Sequence, residues 1–102
     1  MNQAQMMAQV RKMQQEMAKA QEDLAATVVS GSAGGGLISV EMSCDYRVKA
    51  VHVAKESVDP EDVETLEDLL VVAINDAVAK AQDASSKRMS SVTGGMHIPG
   101  LM

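Results

Sequence analysis

The first 26 residues repeat apolar side chains at alternating steps of four and three, with Gln, Glu and Lys between them and no Gly or Pro. This spacing lines up the apolar residues on one face, so it predicts a helix over residues 2–26 with a heptad seam. Three heptads are marginal for a free coiled coil, and Met packs without specifying a unique partner. We therefore expect the seam to pack inside a larger assembly. The seam consists of Met6, Val10, Met13, Met17, Ala20 and Leu24.

The next segment is rich in β-branched residues, Ser and Gly, and its apolar period falls towards two, which predicts short strands with one dry and one solvated sheet face. The Gly-rich residues 31–36 provide a turn, and Asp45 and Tyr46 provide a tight connection further on. The alternation slips between Ala50 and Val51, which predicts a β-bulge there. The three strands are expected at about 27–32, 37–44 and 47–54.

The sequence Asp-Pro-Glu-Asp at positions 59–62 predicts the start of a second helix. Asp59 supplies an N-cap oxygen, Pro60 suits the first helical position, and the acids that follow face the positive end of the helix dipole. Apolar residues then recur at helical spacing without Gly or Pro before Gly94, which predicts a helix over 60–90. Residues 91–102 show no periodicity and predict a flexible tail.

Together these elements predict one α+β domain over residues 1–102. Its protomer has the order α-β-β-β-α, with a three-stranded antiparallel sheet and long helices at both ends.

Two features predict a homodimer. The second helix is apolar on every face around 69–74, which is more than one small sheet can cover. The chain also has a single aromatic residue, Tyr46, so a lone protomer buries little apolar area per side chain. Besides serving as core, the methionines of the first helix also suit an adaptable protein-binding surface. The expected interface residues are Met6, Val10, Met13, Met17, Leu66, Leu69, Leu70, Val72, Ala73 and Ile74.

The net charge of −5 opposes a general attraction to nucleic acid, but the charge is unevenly distributed. Seven acids lie within residues 56–68, which contain no Lys or Arg, whereas the rest of the chain carries nine basic and seven acidic residues, a net of +2. Local basic surfaces are therefore available to contact phosphates. The candidates are Arg11, Lys12 and Lys19 on the first helix and Lys80, Lys87 and Arg88 towards the end of the second. Of these, Lys87 and Arg88 are the expected principal contacts, and Arg11, Lys12 and Lys19 are the expected secondary ones.

A dimer that presents Lys87 and Arg88 twice would make about four phosphate contacts and give a log–log salt slope near −3.6. The competing interpretation is that these two residues only complement the negative end of a helix dipole. For Arg11, Lys12 and Lys19, the competing interpretation is an ordinary solvated helix face.

Patterns typical of catalysis are missing from the sequence. The Gly-rich stretch lacks the Lys-Ser/Thr ending of a phosphate loop, and Cys44 sits on the apolar parity of its strand with no basic neighbour before Arg47. His52 and His97 lack further ligands at motif spacing. We therefore expect no enzyme activity, no metal, no cofactor and no small-molecule substrate.

The same sequence predicts a cytoplasmic protein that does not enter a membrane. Its single cysteine cannot form an internal disulfide, the first residues lack a secretory pattern, and no stretch approaches ~18 apolar residues.

The order of motifs resembles the YbaB/EbfC family of bacterial nucleoid-associated proteins. The specific matches are LEDLLVVAINDA at residues 66–77 and GGMHIPG at 94–100, and the similarity extends over essentially the whole chain. The resemblance implies a tweezer-like homodimer that binds double-stranded DNA with little sequence requirement and resides on the nucleoid. The alternative function is a protein–protein interaction module that uses the Met-rich helix or residues 91–102.

Overall fold

The computed structural model of the protein describes residues 2–92, and it confirms the α+β class and the α-β-β-β-α order. Short 3-10 turns, Gly34–Gly36 and Lys55–Ser57, follow the first and third strands. The longest dimension of the molecule is 70 Å and the shortest is 16 Å. The main elements are α1 (Gln3–Ala26), β1 (Val28–Ala33), β2 (Ile38–Ser43), β3 (Val48–Val53) and α2 (Val63–Val92).

Side chains at both ends of α1 fix its limits. At the start, the Asn2 side chain accepts a hydrogen bond from the Gln5 backbone N–H at 2.8 Å, and the Gln5 side chain reaches back to the Asn2 N–H, forming a capping box. At the end, the backbone of Thr27 is extended and its hydroxyl donates to the Asp23 carbonyl at 2.7 Å. The chain therefore passes from α1 into β1 within one residue.

The three strands form an antiparallel sheet in the order β1-β2-β3. The predicted bulge in the third strand exists, but it lies one position earlier than expected. Glu41 pairs with Ala50 and Met42 pairs with Val48, so Lys49 is the extra residue. Tyr46, with φ of 69°, supports the tight connection between β2 and β3.

The second helix begins at Val63, one turn later than predicted from Pro60. The Asp59 side chain accepts from the Glu61 N–H at 2.9 Å, which forms a local turn and not a helix cap. Asp62 caps the helix instead, because its carboxylate accepts from the Thr65 backbone N–H and, at 2.6 Å, from the Thr65 hydroxyl. These hydrogen bonds hold the pKa of Asp62 below its usual value of 3.8.

The core lies between α2 and one face of β1 and β2. Ile38, Val40 and Met42 of β2 are buried against the small residues Ala73 and Ala77 of α2. β1 approaches α2 so closely at Gly31 that a Cβ there would lie 2.3 Å from both the Ala73 carbonyl oxygen and the Ala77 nitrogen. Alanines on the helix and a glycine on the strand thus compensate for the lack of large core side chains.

Among residues 2–92, only the last part of α1 packs on the rest of the protomer. Ala20 and Leu24 are its buried residues. Asp23, Leu24 and Thr27 line one groove with Ala84 and Arg88, whereas Glu16 and Lys19 line another with Ser91 and Val92. Moving backwards along α1 therefore corresponds to moving forwards along α2, so the two helices run antiparallel.

The predicted helix end near residue 90 lies two residues before the last helical residue, Val92. Residues 91 and 92 are helical, which differs from the predicted flexible tail. The rest of that predicted segment, 93–102, lies outside the described residues.

Candidate nucleic-acid interface

Lys80, one of the predicted phosphate contacts, is bound within the protomer. Its ammonium group donates to the Ser30 carbonyl at 2.9 Å and lies 3.2 Å from the Asp76 carboxylate. Asp76 in turn accepts from the Ser32 backbone N–H at 3.0 Å. Because β1 is an edge strand, these two side chains of α2 satisfy backbone groups on its outer edge.

The pKa of Asp76 is lowered from its usual 3.8, first by the hydrogen bond from the Ser32 N–H and then by Lys80. The charged forms of both residues therefore attach α2 to β1. The arrangement favours a structural role for Lys80 over a DNA contact.

Lys87 and Arg88, the other predicted contacts of α2, also have acidic partners. Lys87 lies 2.9 Å from Asp83 one turn earlier, and both side chains are largely exposed. Arg88 lies 2.9 Å from Asp23 of α1 and donates to the Ser91 hydroxyl, and its side chain is only 30% exposed. Arg88 thus joins the two helices, whereas Lys87 keeps enough freedom to exchange its partner for a phosphate, since an exposed ion pair contributes at most about 1 kcal/mol.

The three basic residues of α1 are arranged differently. Arg11, Lys12 and Lys19 are exposed, and none of them forms an ion pair with any residue between 2 and 92. Lys12 and Lys19 are seven residues apart and share one face of the helix. The segment 2–15 contains Arg11 and Lys12 and no acid. The N-terminal half of α1 is therefore a projecting helix with uncompensated positive charge.

The acidic stretch 56–68 lies at the opposite end of the molecule. It includes the connection before α2 and the first residues of that helix, and Lys87 is 19 residues beyond Asp68, or roughly 29 Å along the helix. Because α1 and α2 are antiparallel, the N-terminal half of α1 lies still further away. The charges are separated in space as well as in sequence.

Two other cations, Lys49 and Lys55, are also without an ion-pair partner among the residues described. Lys55 directly precedes the acidic stretch and Lys49 lies in the bulge of β3. Neither belongs to a basic surface as extended as that of α1.

The predicted dimer-interface residues fall into three groups. Ala73 is fully buried against β1 and has no side-chain surface left for a partner, so we remove it from the proposed interface. The three leucines of α2 are partly buried against the protomer's own core. The residues left substantially exposed are Met6, Val10, Met13, Met17, Val72 and Ile74.

The sequence did not single out an apolar surface on β3. Val51 pairs with Val40 and Val53 pairs with Ile38, so these valines face the same side of the sheet as the core. They are nevertheless 45% and 39% exposed, because α2 covers β1 and β2 and does not extend over β3. The available signal was the recurrence of Val48, Val51 and Val53 along the third strand, which predicts one apolar face, but the sequence does not tell whether another element covers that face.

Val71 and Ile74 of α2 are exposed on a related surface. Asp76 and Lys80 place one flank of the helix at the outer edge of β1, so Val71 and Ile74, on the opposite flank, turn towards β3. We call the set Val48, Val51, Val53, Val71 and Ile74 the β3–α2 surface.

The described residues show no arrangement typical of metal binding. No group of three His, Cys, Asp or Glu side chains among residues 2–92 could hold a metal ion, and His97 lies outside that range. Cys44 is buried. Its burial, and to a smaller extent the negative charge of Asp45, raise the pKa of the thiol, which makes it a poor nucleophile. In the same part of the chain, neither long helix is apolar enough to cross a membrane.

The model of the YbaB/EbfC DNA-binding family matches residues 1–96. The chain belongs to this family. The resemblance inferred from the motif order is therefore confirmed, and the YbaB/EbfC family is described by DNA binding and not by a catalytic activity.

Curated relatives in the YbaB/EbfC family are similar over nearly their whole length. A nucleoid-associated protein of Chloroflexus aurantiacus is 52% identical over 96 residues, covering 94% of this chain and 96% of that protein. A nucleoid-associated protein of Alkaliphilus metalliredigens is 50% identical, with coverage of 94% and 84%. A crystal structure of an uncharacterized protein from Helicobacter pylori has a TM-score of 0.81 at 20% identity, covering 92% of this chain and 99% of that one, and it supports the fold.

Proposed function

We propose that this protein is a nucleoid-associated protein that binds double-stranded DNA as a homodimer with little sequence specificity. Arg11, Lys12 and Lys19 of α1 are the principal phosphate contacts, and Lys87 is a secondary one. The observation that carries the proposal is the projecting, acid-free half of α1 with unpaired cations, in a chain that belongs to a DNA-binding family.

The charge distribution supports contact with phosphates and not with base edges. A protein with a net charge of −5 is repelled by DNA as a whole, so contact must be confined to a region remote from its acids. α1 satisfies this condition because the acidic stretch 56–68 lies at the other end of the molecule. Phosphate contacts carry no sequence information, so little sequence preference is expected.

The homodimer is supported by the β3–α2 surface. Val51 and Val71 are 45% and 57% exposed, and large apolar side chains grouped in this way mark interaction surfaces. The two edges of the sheet also differ, because α2 satisfies the outer edge of β1 while no described strand pairs with the outer edge of β3. A second copy that covers β3 would bury the valines and protect the open edge.

Fluorescence anisotropy with two labelled duplexes of equal length and unrelated sequence tests the DNA function. The proposal predicts that both duplexes bind with similar affinity and that binding weakens steeply as salt is raised. Failure to bind either duplex at low salt would contradict the function. Binding to only one duplex would contradict the lack of specificity.

A further inference from the structure

An apolar stripe on α1 is left uncovered by the rest of the described protomer. Met6, Val10, Met13 and Met17, which we call the Met stripe, are 55%, 52%, 43% and 46% exposed. The same line of the helix continues into Ala20 and Leu24, which are buried where α1 meets α2. The cover over this face of α1 therefore stops where the described part of α2 stops.

Val92, the last described residue, lies close to α1. Val92 is the last residue of α2 and is 8% exposed, and it lines a groove with Glu16 and Lys19 of α1. Because α2 runs antiparallel to α1, it is directed at this point towards the N-terminal half of α1. Val92 therefore lies beside the turn of α1 that contains Met17, the nearest member of the Met stripe.

The length and composition of residues 93–102 suit this stripe. Met17 and Met6 are 11 residues apart on a helix, or about 16 Å, whereas ten residues of extended chain reach about 33 Å. The segment has no Asp, Glu, Lys or Arg. Its large apolar residues are Met96, Ile98, Leu101 and Met102.

We propose that residues 93–102 pack along the Met stripe of the same chain, continuing the cover that α2 gives to Ala20 and Leu24. Attachment at Val92 keeps the segment at a high effective concentration next to the stripe, an advantage that a second copy lacks. A second copy would also have to pair a seam of less than two heptads made of three methionines and one valine, and methionine specifies partner and register poorly. Arg11 and Lys12 lie on other faces of α1 and stay open to DNA.

Packing of this segment would stabilise the N-terminal half of α1. Helices of fewer than about 12–15 residues are marginal in water unless an apolar face is packed. Residues 3–17 of α1 have no buried side chain, so a covered Met stripe would keep this half of the helix formed. The proposal does not depend on DNA binding and is tested without DNA.

The test is the rate of methionine oxidation by dilute hydrogen peroxide, followed at each methionine by mass spectrometry. The variants are a deletion of residues 94–102 and the full-length double variant Met96→Ser/Ile98→Ser. His97→Ser is the matched control, because it changes the residue between those two positions without removing a large apolar side chain. Met7 is an internal reference, since it lies off the stripe and is already 53% exposed.

The proposal predicts that Met6, Met13 and Met17 oxidise several-fold faster in the deletion and the double variant, while His97→Ser and Met7 are unchanged. The protection of the full chain should not depend on protein concentration. Equal rates in all variants would overturn the proposal. Protection that disappears on dilution would also overturn it and would assign the stripe to a second copy.

Discussion

Gly31 is the residue at which the sheet and α2 come closest, and it shows how a chain with one aromatic residue still forms a core. A Cβ at this position would meet backbone atoms of α2, which cannot move away as a flexible side chain can. The sequence could not reveal this role, because a glycine in a Gly- and Ser-rich stretch also suits a turn. Its importance comes from Ala73 and Ala77, more than 40 residues away.

Gly31→Ala is expected to destabilise the fold by about 3 kcal/mol or more, since relief of the clash requires the strand to separate from the helix. Ser30→Ala is the matched control, because Ser30 is exposed and only its backbone carbonyl is used by Lys80. The control should change stability by less than about 0.5 kcal/mol. Urea unfolding of both variants measures the difference, and equal stabilities would contradict the close contact.

Asp76→Asn tests the attachment of α2 to the edge of β1 through its pH dependence. The pKa of Asp76 is depressed in the folded state, so its charged form stabilises the fold above the unfolded pKa, near 3.8. That contribution is lost as pH falls through the folded pKa. Urea unfolding should therefore show the variant to be less stable than the parent at pH 7, with the difference shrinking as pH falls below about 3.8 and lost once the pH is below the folded pKa of Asp76. A difference that stays constant with pH would show that the charge is not responsible.

At the scale of elements, the sequence predicted both helices and all three strands because each depends on local periodicity. It placed the start of α2 one turn early, since Asp59-Pro60 suits a turn as well as a helix start, and the choice depends on whether Asp59 or Asp62 accepts the first free N–H groups. Of the acidic partners of the α2 cations, Asp76 and Asp83 were visible in the sequence at i,i+4 spacing. The Asp23–Arg88 pair was not, because 65 residues separate its members.

The contact between α1 and α2 is tested by a double-mutant cycle on Asp23→Asn and Arg88→Gln. The pair is partly exposed, with side-chain exposures of 30% for Arg88 and 48% for Asp23, so its coupling free energy should be only about 0.2–1 kcal/mol. The cycle is measured by chemical unfolding. A coupling of zero would mean that Arg88 is free to contact DNA, as the sequence alone suggested.

At the scale of the whole molecule, charge and apolar surface are separated along an elongated protomer. Positive charge dominates the projecting half of α1, negative charge surrounds the start of α2, and the β3–α2 surface faces outwards from the sheet. The family and fold could be predicted from motif order. The sequence could not predict which basic side chains are bound within the protomer and which are left to contact DNA, because this depends on how close α1, α2 and β1 lie to one another.

Val51→Lys tests the dimer by placing a charge in the middle of the β3–α2 surface. His52→Lys is the matched control, since it adds the same charge to the other face of the same strand. Sedimentation should give the parent and the control a mass of twice 10.8 kDa and Val51→Lys a mass of 10.8 kDa. A parent that sediments as a folded protomer would refute the dimer, and a dimeric Val51→Lys would move the interface elsewhere.

The most direct test of the account is the salt dependence of duplex binding for Arg11→Gln/Lys12→Gln beside Lys80→Gln/Lys87→Gln. Both double variants remove two positive charges per protomer but from different helices, and Lys80→Gln also removes the contacts to Ser30 and Asp76, so the folded state of each variant is first verified by circular dichroism. If α1 carries the contacts in both protomers, the first variant should lower the magnitude of the log–log salt slope by about 3.6, or about 1.8 if one protomer contacts the duplex. The second should change the slope far less, because Lys80 is held by Ser30 and Asp76 and Lys87 is only a secondary contact. An unchanged slope in the α1 variant, or the larger loss in the α2 variant, would contradict the account.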